Sequence, residues 1–487
     1  MDEDLDSMSM DSDLANDNNA HNDSGDNNSV QEGGDVVDMV IIRDDPDLSE
    51  FRLVTMDNEP DGTESNETVA DNGDESDNGE EVPFDIQLPY QHLYLARNFQ
   101  ALPGHTYLEE GSVQTLPLIP ANLIMGLRVL IPGQTIPLNY SNPEIVNAIR
   151  ESLDENHNMF GFLQKKIMHD PKRHIIASRD LGKIIGVTLE IFEVGSDEDH
   201  QGEFCCKARV TQRFRVLDCV SSGRWFAQGR VLILPEIVLE DPLQPSCPAS
   251  LERLRRGSKR AVCDLQVAQT TAWPRFVYRQ YELTLVVATA KQYFLTLLTD
   301  KNACCAKVPD DPVQLSYWIL INFPMSDSIR VEMLSLNNAL HRLHRLIDYF
   351  KNYHQSIRCI GCFQEIGLIK DIFFMSASGP QGVYINPNGF THETITLYKV
   401  DNIILDPVVS TQYSWFPGYA WSIASCARCH CHVGWRFKAV KRALVPKCFY
   451  GITKRAITLP GRAQGERRED ESDDMADNML PPRLLAI

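Results

Sequence analysis

YSWFPGYAWSIASCARCHCHVGW, residues Tyr413–Trp435, holds three of the chain's six tryptophans and three of its thirteen cysteines. Upstream stands CIGC, with Cys359 and Cys362; 63 residues separate it from CARC, with Cys426 and Cys429. Two Cys-x-x-Cys pairs supply four thiolates, a complete tetrahedral shell for one Zn²⁺ ion. Such a shell leaves no position for water, so the ion is expected to be structural and not catalytic. The long separation suits two knuckles at opposite ends of one β-domain. His430, Cys431 and His432 follow the second pair directly, and any of them could replace a ligand. The neighbouring aromatics Tyr413, Trp415, Phe416, Tyr419, Trp421, Trp435 and Phe437 fit two roles. They can fill a small metal-stapled core, which composition alone favours. They can also wall a pocket, because Pro417 and Gly418 put a turn between Trp415 and Trp421, and loop-borne rings on a rigid scaffold suit a flat ligand.

Outward from this stretch the chain divides by pattern. In VYINPNGFTHETITLYKV, Asn388-Gly389 between apolar runs predicts a hairpin, and residues 356–460 form the β-domain that carries both knuckles. Residues 236–355 are helical. SDSIRVEMLSLNNALHRLHRLIDYF spaces Met333, Leu336, Leu340, Leu343, Ile347 and Phe350 by three and four, which predicts one helix capped by Ser326 or Asp327. AWPRFVYRQYELTLVVATAKQYFLTLL predicts one or two more, with Pro274 near the first turn. Residues 86–235 alternate with period two at Val187, Leu189 and Ile191 and at Ala208, Val210, Phe214 and Val216, as in a twisted antiparallel sheet or barrel. LRVLIPGQTIPL, Leu127–Leu138, places a Pro-Gly turn between two strand-like pieces.

The formal charge of -21 is uneven. The first 85 residues carry 28 acids against Arg43 and Arg52, leaving 39 acids and 44 bases in the remainder. A segment so poor in apolar residues is expected to be disordered, and residues 461–487 form a second acidic tail. The scattered bases argue against nucleic-acid binding. No apolar run is long enough to span a bilayer, and no signal peptide opens the chain. With an odd number of cysteines, this describes an intracellular protein with free thiols and a metal site. Phosphate-loop, nucleophile-elbow and H-E-x-x-H motifs are missing from the sequence. His341 and His344 share a helix face and are expected to be solvated.

SWFPGYAW, the GW-F after the second knuckle, the NP-G and HET of the hairpin, and LIPGQTIPL together resemble the cereblon family of substrate receptors of cullin–RING ubiquitin ligases, the two knuckles with SWFPGYAW being the most specific part. The resemblance runs from Leu88 to Leu459. It implies an α+β multidomain chain: a Lon N-terminal-like β domain without peptidase, a helical bundle insertion that takes the ligase's β-propeller adaptor, and a C-terminal zinc-bound β-tent, which is β-sandwich-like. It implies that Trp415, Trp421 and Trp435 form a cage for a cyclic imide such as glutarimide. Phe437 would close the base, Asn386 and Pro387 would lie at the rim, and main chain around Tyr413, Ser414 and Trp415 would hydrogen-bond the imide. Substrate proteins would be those bearing cyclic-imide degrons, bound in the nucleus and cytoplasm. Tyr413 stands where vertebrate cereblons carry histidine, and Ile423 where the human member has a smaller valine. The β-tent also resembles methionine sulfoxide reductase B, whose chemistry would need a nucleophile outside the zinc set, Cys431 or Cys448.

Overall fold

In the computed structural model, residues 81–458 are described, apart from 97, 104–106, 121–123, 156–157, 165–183, 196–203, 223–225, 298–307 and 352–354. The expected acidic tails, up to residue 80 and from 459, lie outside the described residues.

The alternating segments become long strands. Ile185–Gly195 and Phe204–Ser222 form a hairpin, and Phe204–Ser222 continues past it to pair with Ala227–Ile233. Val113–Pro120 joins Ala227–Ile233 on one side and Met159–Leu163, in parallel, on the other. Met159–Leu163 returns to Ile185–Gly195. The pairing thus closes a five-stranded barrel, with Phe99–Ala101 and Thr135–Tyr140 added outside it. Closure removes free strand edges. Val187, Leu189, Ile191, Ala208, Val210, Phe214 and Val216 are all buried.

Of the two strand-like pieces around the Pro-Gly turn, only the second, Thr135–Tyr140, is a strand. Leu127–Ile131 is a buried loop. Two buried glutamines take its backbone groups: Gln164 accepts from Leu130 N–H at 3.0 Å and donates to Leu130 C=O at 2.8 Å, and Gln134 accepts from Ile131 N–H at 2.8 Å. Backbone polar groups away from water need such partners, and these amides replace a ladder.

The helical module supplies Ala249–Arg255, Arg260–Gln269, Arg275–Arg279, Leu283–Leu297, Pro312–Asn322, Asp327–Ser335 and Ala339–Lys351. Pro274 is the residue before Arg275–Arg279, as expected. The single helix expected from Ser326 to Phe350 is instead two helices, interrupted at Leu336–Asn338. Apolar spacing continues across the break, but the backbone there bonds elsewhere. Ile237 N–H donates to Asn337 C=O and Ala339 N–H to Ile237 C=O, while Asn338 Oδ1 accepts Leu340 N–H at 2.8 Å and caps the second helix. Ser326 sits at the first helix's N-cap without a side-chain capping bond. His344 lends Nε2 to Gln280 C=O at 2.7 Å, so it is half-buried between two helical segments and not fully solvated as expected.

Barrel and helices meet around one half-buried carboxylate. Glu236 takes Arg213 Nε at 2.6 Å on one oxygen and Arg342 Nη2 at 2.6 Å on the other, and Tyr317 O–H donates to it as well. Both guanidiniums are fully buried and spend further donors on the Pro235, Leu334 and Leu336 carbonyls. A buried charge cluster is tolerable only when its members are paired this completely.

The C-terminal domain is a six-stranded antiparallel sheet beside a three-stranded one. The larger has the order Gln381–Ile385, Thr391–Leu397, Cys448–Thr453, His432–Ala439, Tyr419–Cys426, Ile403–Leu405. The Asn388-Gly389 hairpin forms as expected, with Gly389 at φ +76° and Asn386 Oδ1 accepting Phe390 N–H at 2.8 Å. Part of the segment assigned to the tail is ordered: Val82–Pro83 pairs in parallel with Leu444–Val445. The physical reason is Phe84, which buries edge-on against Tyr419 at 5.4 Å and near Phe416 at 6.3 Å.

Candidate functional site: a four-cysteine centre and an aromatic cage

Each knuckle is built by the same local rule. Phe363 and His430, the residues after each second cysteine, adopt positive φ (58° and 59°). Their N–H groups donate to the carbonyls of Cys359 and Cys426, both at 2.9 Å. Cys359 N–H and Cys426 N–H in turn donate to Gln364 and Cys431 C=O. This tight turn points both cysteines of a pair the same way. The strand Ser356–Cys359 and the end of Tyr419–Cys426 then bring the pairs together. All four sulfurs lie within 4.8 Å of one another, with Cys359–Cys429 at 3.6 Å and Cys362–Cys426 at 3.5 Å. A tetrahedron of ~2.3 Å metal–sulfur bonds has edges of about 3.8 Å, so the set fits a single zinc ion, whose chemistry here is structural. Burial opposes ionisation of Cys426, but the Cys429 and Arg428 backbone N–H groups outweigh it and lower its thiol to about 7. Of the alternative ligands, His430 and Cys431 are exposed and His432 packs elsewhere; none belongs to the sulfur cluster.

The aromatic set sits on the adjoining strands. Tyr419–Cys426 and His432–Ala439 are antiparallel, with Trp421 opposite Phe437 and Ile423 opposite Trp435. Period-two alternation therefore puts all four on one face. Trp415, from the preceding loop, folds over that face and meets Trp435 at 4.6 Å and 70°. Trp415 and Trp435 are 6% and 4% exposed, Phe437 is buried, and Trp421 is half-buried at the edge of the cluster. Two indole N–H groups are spent on main chain: Trp415 Nε1 to Ile385 C=O at 3.2 Å and Trp421 Nε1 to Gln412 C=O at 2.8 Å. Tyr413 is exposed at φ 52°, Ser414 is half-buried with Oγ donating to Phe416 C=O, Asn386 is buried and Pro387 exposed in the hairpin turn. The structure thus gathers all eight proposed cage residues in one region, with Trp415, Trp435 and Phe437 also serving as core.

Three residues missed in the sequence support the walls. Tyr384 stacks on Trp415 at 4.9 Å and 10°. His392 packs against Trp435 at 4.9 Å, and His432 reaches the same indole at 4.7 Å. His392 lies on Thr391–Leu397 opposite Tyr384, so the hairpin register would have paired them. Behind Tyr384 runs the segment 81–96. Tyr94 O–H accepts Ile385 N–H at 3.2 Å, and His92 Nδ1 lies 3.1 Å from the Tyr94 hydroxyl.

Burial, reinforced by Lys207, lowers the His92 imidazole to about 3. The folded chain thus binds this proton less readily than the unfolded one. Its contribution to stability is complete above the ordinary histidine value near 6.5 and declines as pH falls from there towards 3. Acidification to pH 4.5 is expected to strip protection from the Ile385 amide. Hydrogen exchange checks this; His92→Gln should flatten the dependence, and an unchanged profile in that variant would contradict the assignment.

A closed barrel bearing a helical module, followed by a four-cysteine β-domain, is the combination the comparisons find. Residues 116–352 match the ATP-dependent protease La (LON) substrate-binding domain, and residues 355–472 match the model described as Yippee zinc-binding/DNA-binding/Mis18, centromere assembly. The chain is similar to cereblon of Danio rerio, at 33% identity across 84% of this chain and 95% of that protein. It is similar to cereblon of Gallus gallus (31%, across 81% and 88%) and of Xenopus tropicalis (31%, across 80% and 88%). The solved N-terminal domain of the Mycobacterium avium complex Lon protease aligns over 49% of this chain and 98% of its own at 15% identity, but its TM-score of 0.31 is too low to carry an argument. The chain belongs to the cereblon family.

Proposed function

We propose that this chain is the substrate-recognition subunit of a cullin–RING E3 ubiquitin ligase, taking cyclic-imide degrons or glutarimide-like ligands between Trp415, Trp421 and Trp435. The observation that carries this is the juxtaposition of three indoles with the zinc-held knuckles, in a member of the cereblon family. A flat, neutral imide suits such walls: apolar faces exclude water, and main chain around Tyr413 and Trp415 offers the few polar groups that read an N–H and C=O edge. The chain's part is to hold the substrate while the ligase transfers ubiquitin from elsewhere, in the nucleus and cytoplasm. The β-propeller adaptor takes the helical module, whose exposed Leu254, Val262, Leu265, Trp273, Phe276 and Tyr281 offer apolar anchors. A reductase would need an activated thiol outside the zinc set, and burial instead pushes Cys448 up. Co-purification from cells tests the proposal: the propeller adaptor should come down with this chain and be lost on combining Trp273→Glu with Phe276→Glu. Purification without any adaptor would overturn it.

A further inference from the structure

A second carboxylate, the buried Glu393, stands where three parts of the molecule meet. It lies on Thr391–Leu397, next to His392. Alternation along the strand puts His392 towards Trp415 and Trp435 and Glu393 towards the opposite face. One Glu393 oxygen accepts from Gln381 Nε2 at 2.8 Å and lies within ion-pair distance of Arg330 Nη2 at 2.7 Å; the other accepts from Arg330 Nη1 at 2.9 Å and Lys454 Nζ at 3.3 Å. Gln134, from the barrel, approaches at 3.5 Å. Arg330 belongs to the helix Asp327–Ser335 and is fully buried; Gln381 and Lys454 belong to the zinc domain. Asp327 completes the group, 2.8 Å from Lys454. Two cations and two carboxylates thus balance, with Asp327 at the group's half-exposed end. Burial works against the Glu393 charge, yet Arg330 and Lys454 outweigh it and keep the carboxyl below its usual range.

The same strand touches the barrel through its backbone. Thr391 N–H donates to Met125 C=O at 2.9 Å, and Gly126, at φ +95°, passes so closely that a β-carbon there would fall 1.9 Å from Thr391 C=O. Just before it comes the turn with Asn386 and Pro387, the rim of the cage.

We propose that Glu393 is a positioning residue for the cage: its carboxylate fastens the rim hairpin to the barrel and the helical module, holding Asn386, Pro387 and His392 in place against the indoles. This rests on the cyclic-imide reading above, although the fastening itself can be tested without a ligand. The variants are Glu393→Gln, which keeps shape but removes charge, and Glu393→Gln with Arg330→Gln, which removes the pair and leaves no unmatched guanidinium. Full-length, zinc-loaded chain is titrated with a fluorescein-linked glutarimide, and the Thr391 amide is followed by hydrogen exchange. Loss of Thr391 protection is expected, with roughly tenfold weaker probe binding, about 1.4 kcal/mol, and unchanged zinc content. The double variant decides if the single one does not fold. Thr391 protection and probe affinity equal to wild type in a folded variant would overturn the proposal. Failure of the wild-type chain to bind the probe would refute the imide reading, and Thr391 exchange would still judge the fastening. Lost protection with unchanged affinity would confine Glu393 to fold stability and overturn its role in positioning the cage.

Discussion

Cys362→Ser or Cys429→Ser is expected to unfold the C-terminal β-domain. The four sulfurs join the knuckle of the three-stranded sheet to the end of the six-stranded one, and both knuckle turns depend on their cysteines pointing inward. Apparent binding free energies for structural zinc in small domains are on the order of 10–16 kcal/mol, against a whole-domain stability of roughly 5–15 kcal/mol. Losing one ligand therefore removes more than the domain can spare. Zinc content should fall below one per chain, and the near-UV signal of Trp415, Trp421 and Trp435 should collapse. Chelation of the native chain should do the same. A chelated chain that kept its near-UV spectrum would show that the metal is not what holds the rings.

Trp421→Ala is expected to abolish detectable binding of a glutarimide probe, a loss of at least ~100-fold or about 2.7 kcal/mol, as for a central aromatic anchor. Trp421 is the informative wall to remove. Trp415 and Trp435 are buried against Tyr384, His392 and each other, so deleting either also opens a core cavity costing roughly 3–5 kcal/mol. Trp421 is half-buried at the edge of the cluster, and its indole is held chiefly by Gln412 C=O. The variant should keep its zinc and its melting behaviour. Retained affinity in a folded, zinc-loaded variant would return the rings to a purely structural role.

The opening stretch proved legible because its chemistry is coded by spacing. Two Cys-x-x-Cys pairs together code for a shared metal shell, and Gly389 meets the positive-φ requirement of its turn locally. Barrel strands were legible for a similar reason, since a period of two survives any partner. What escaped was decided at a distance. Met333, Leu336 and Leu340 keep helical spacing across a break that Ile237, in the linker from the barrel, imposes on the backbone. Leu127–Ile131 looks like a strand and is held as a loop by Gln134 and Gln164. Phe84 and Tyr94 attach the segment 81–96 to the cage domain, although Tyr94 lies 291 residues from Ile385 in sequence and Phe84 lies further still from Tyr419. In the cage, the indoles stood out through composition, whereas His392 and His432 did not. Their role comes from packing on Trp435, which only the sheet register reveals.

On the proposed reading, core and pocket divide the labour. Trp415, Trp435 and Phe437 are packed well enough to count as core, which makes them stiff walls, while Trp421 and the exposed Tyr413 border the open side. Calorimetric titration of the zinc-loaded chain with glutarimide, beside its N-methyl analogue, tests this most directly. The account predicts one glutarimide bound per chain and at least roughly tenfold weaker binding of the N-methyl compound, because a main-chain acceptor that reads the imide N–H would be left unpaired. Equal affinity for the two compounds, or no binding of either, would contradict it.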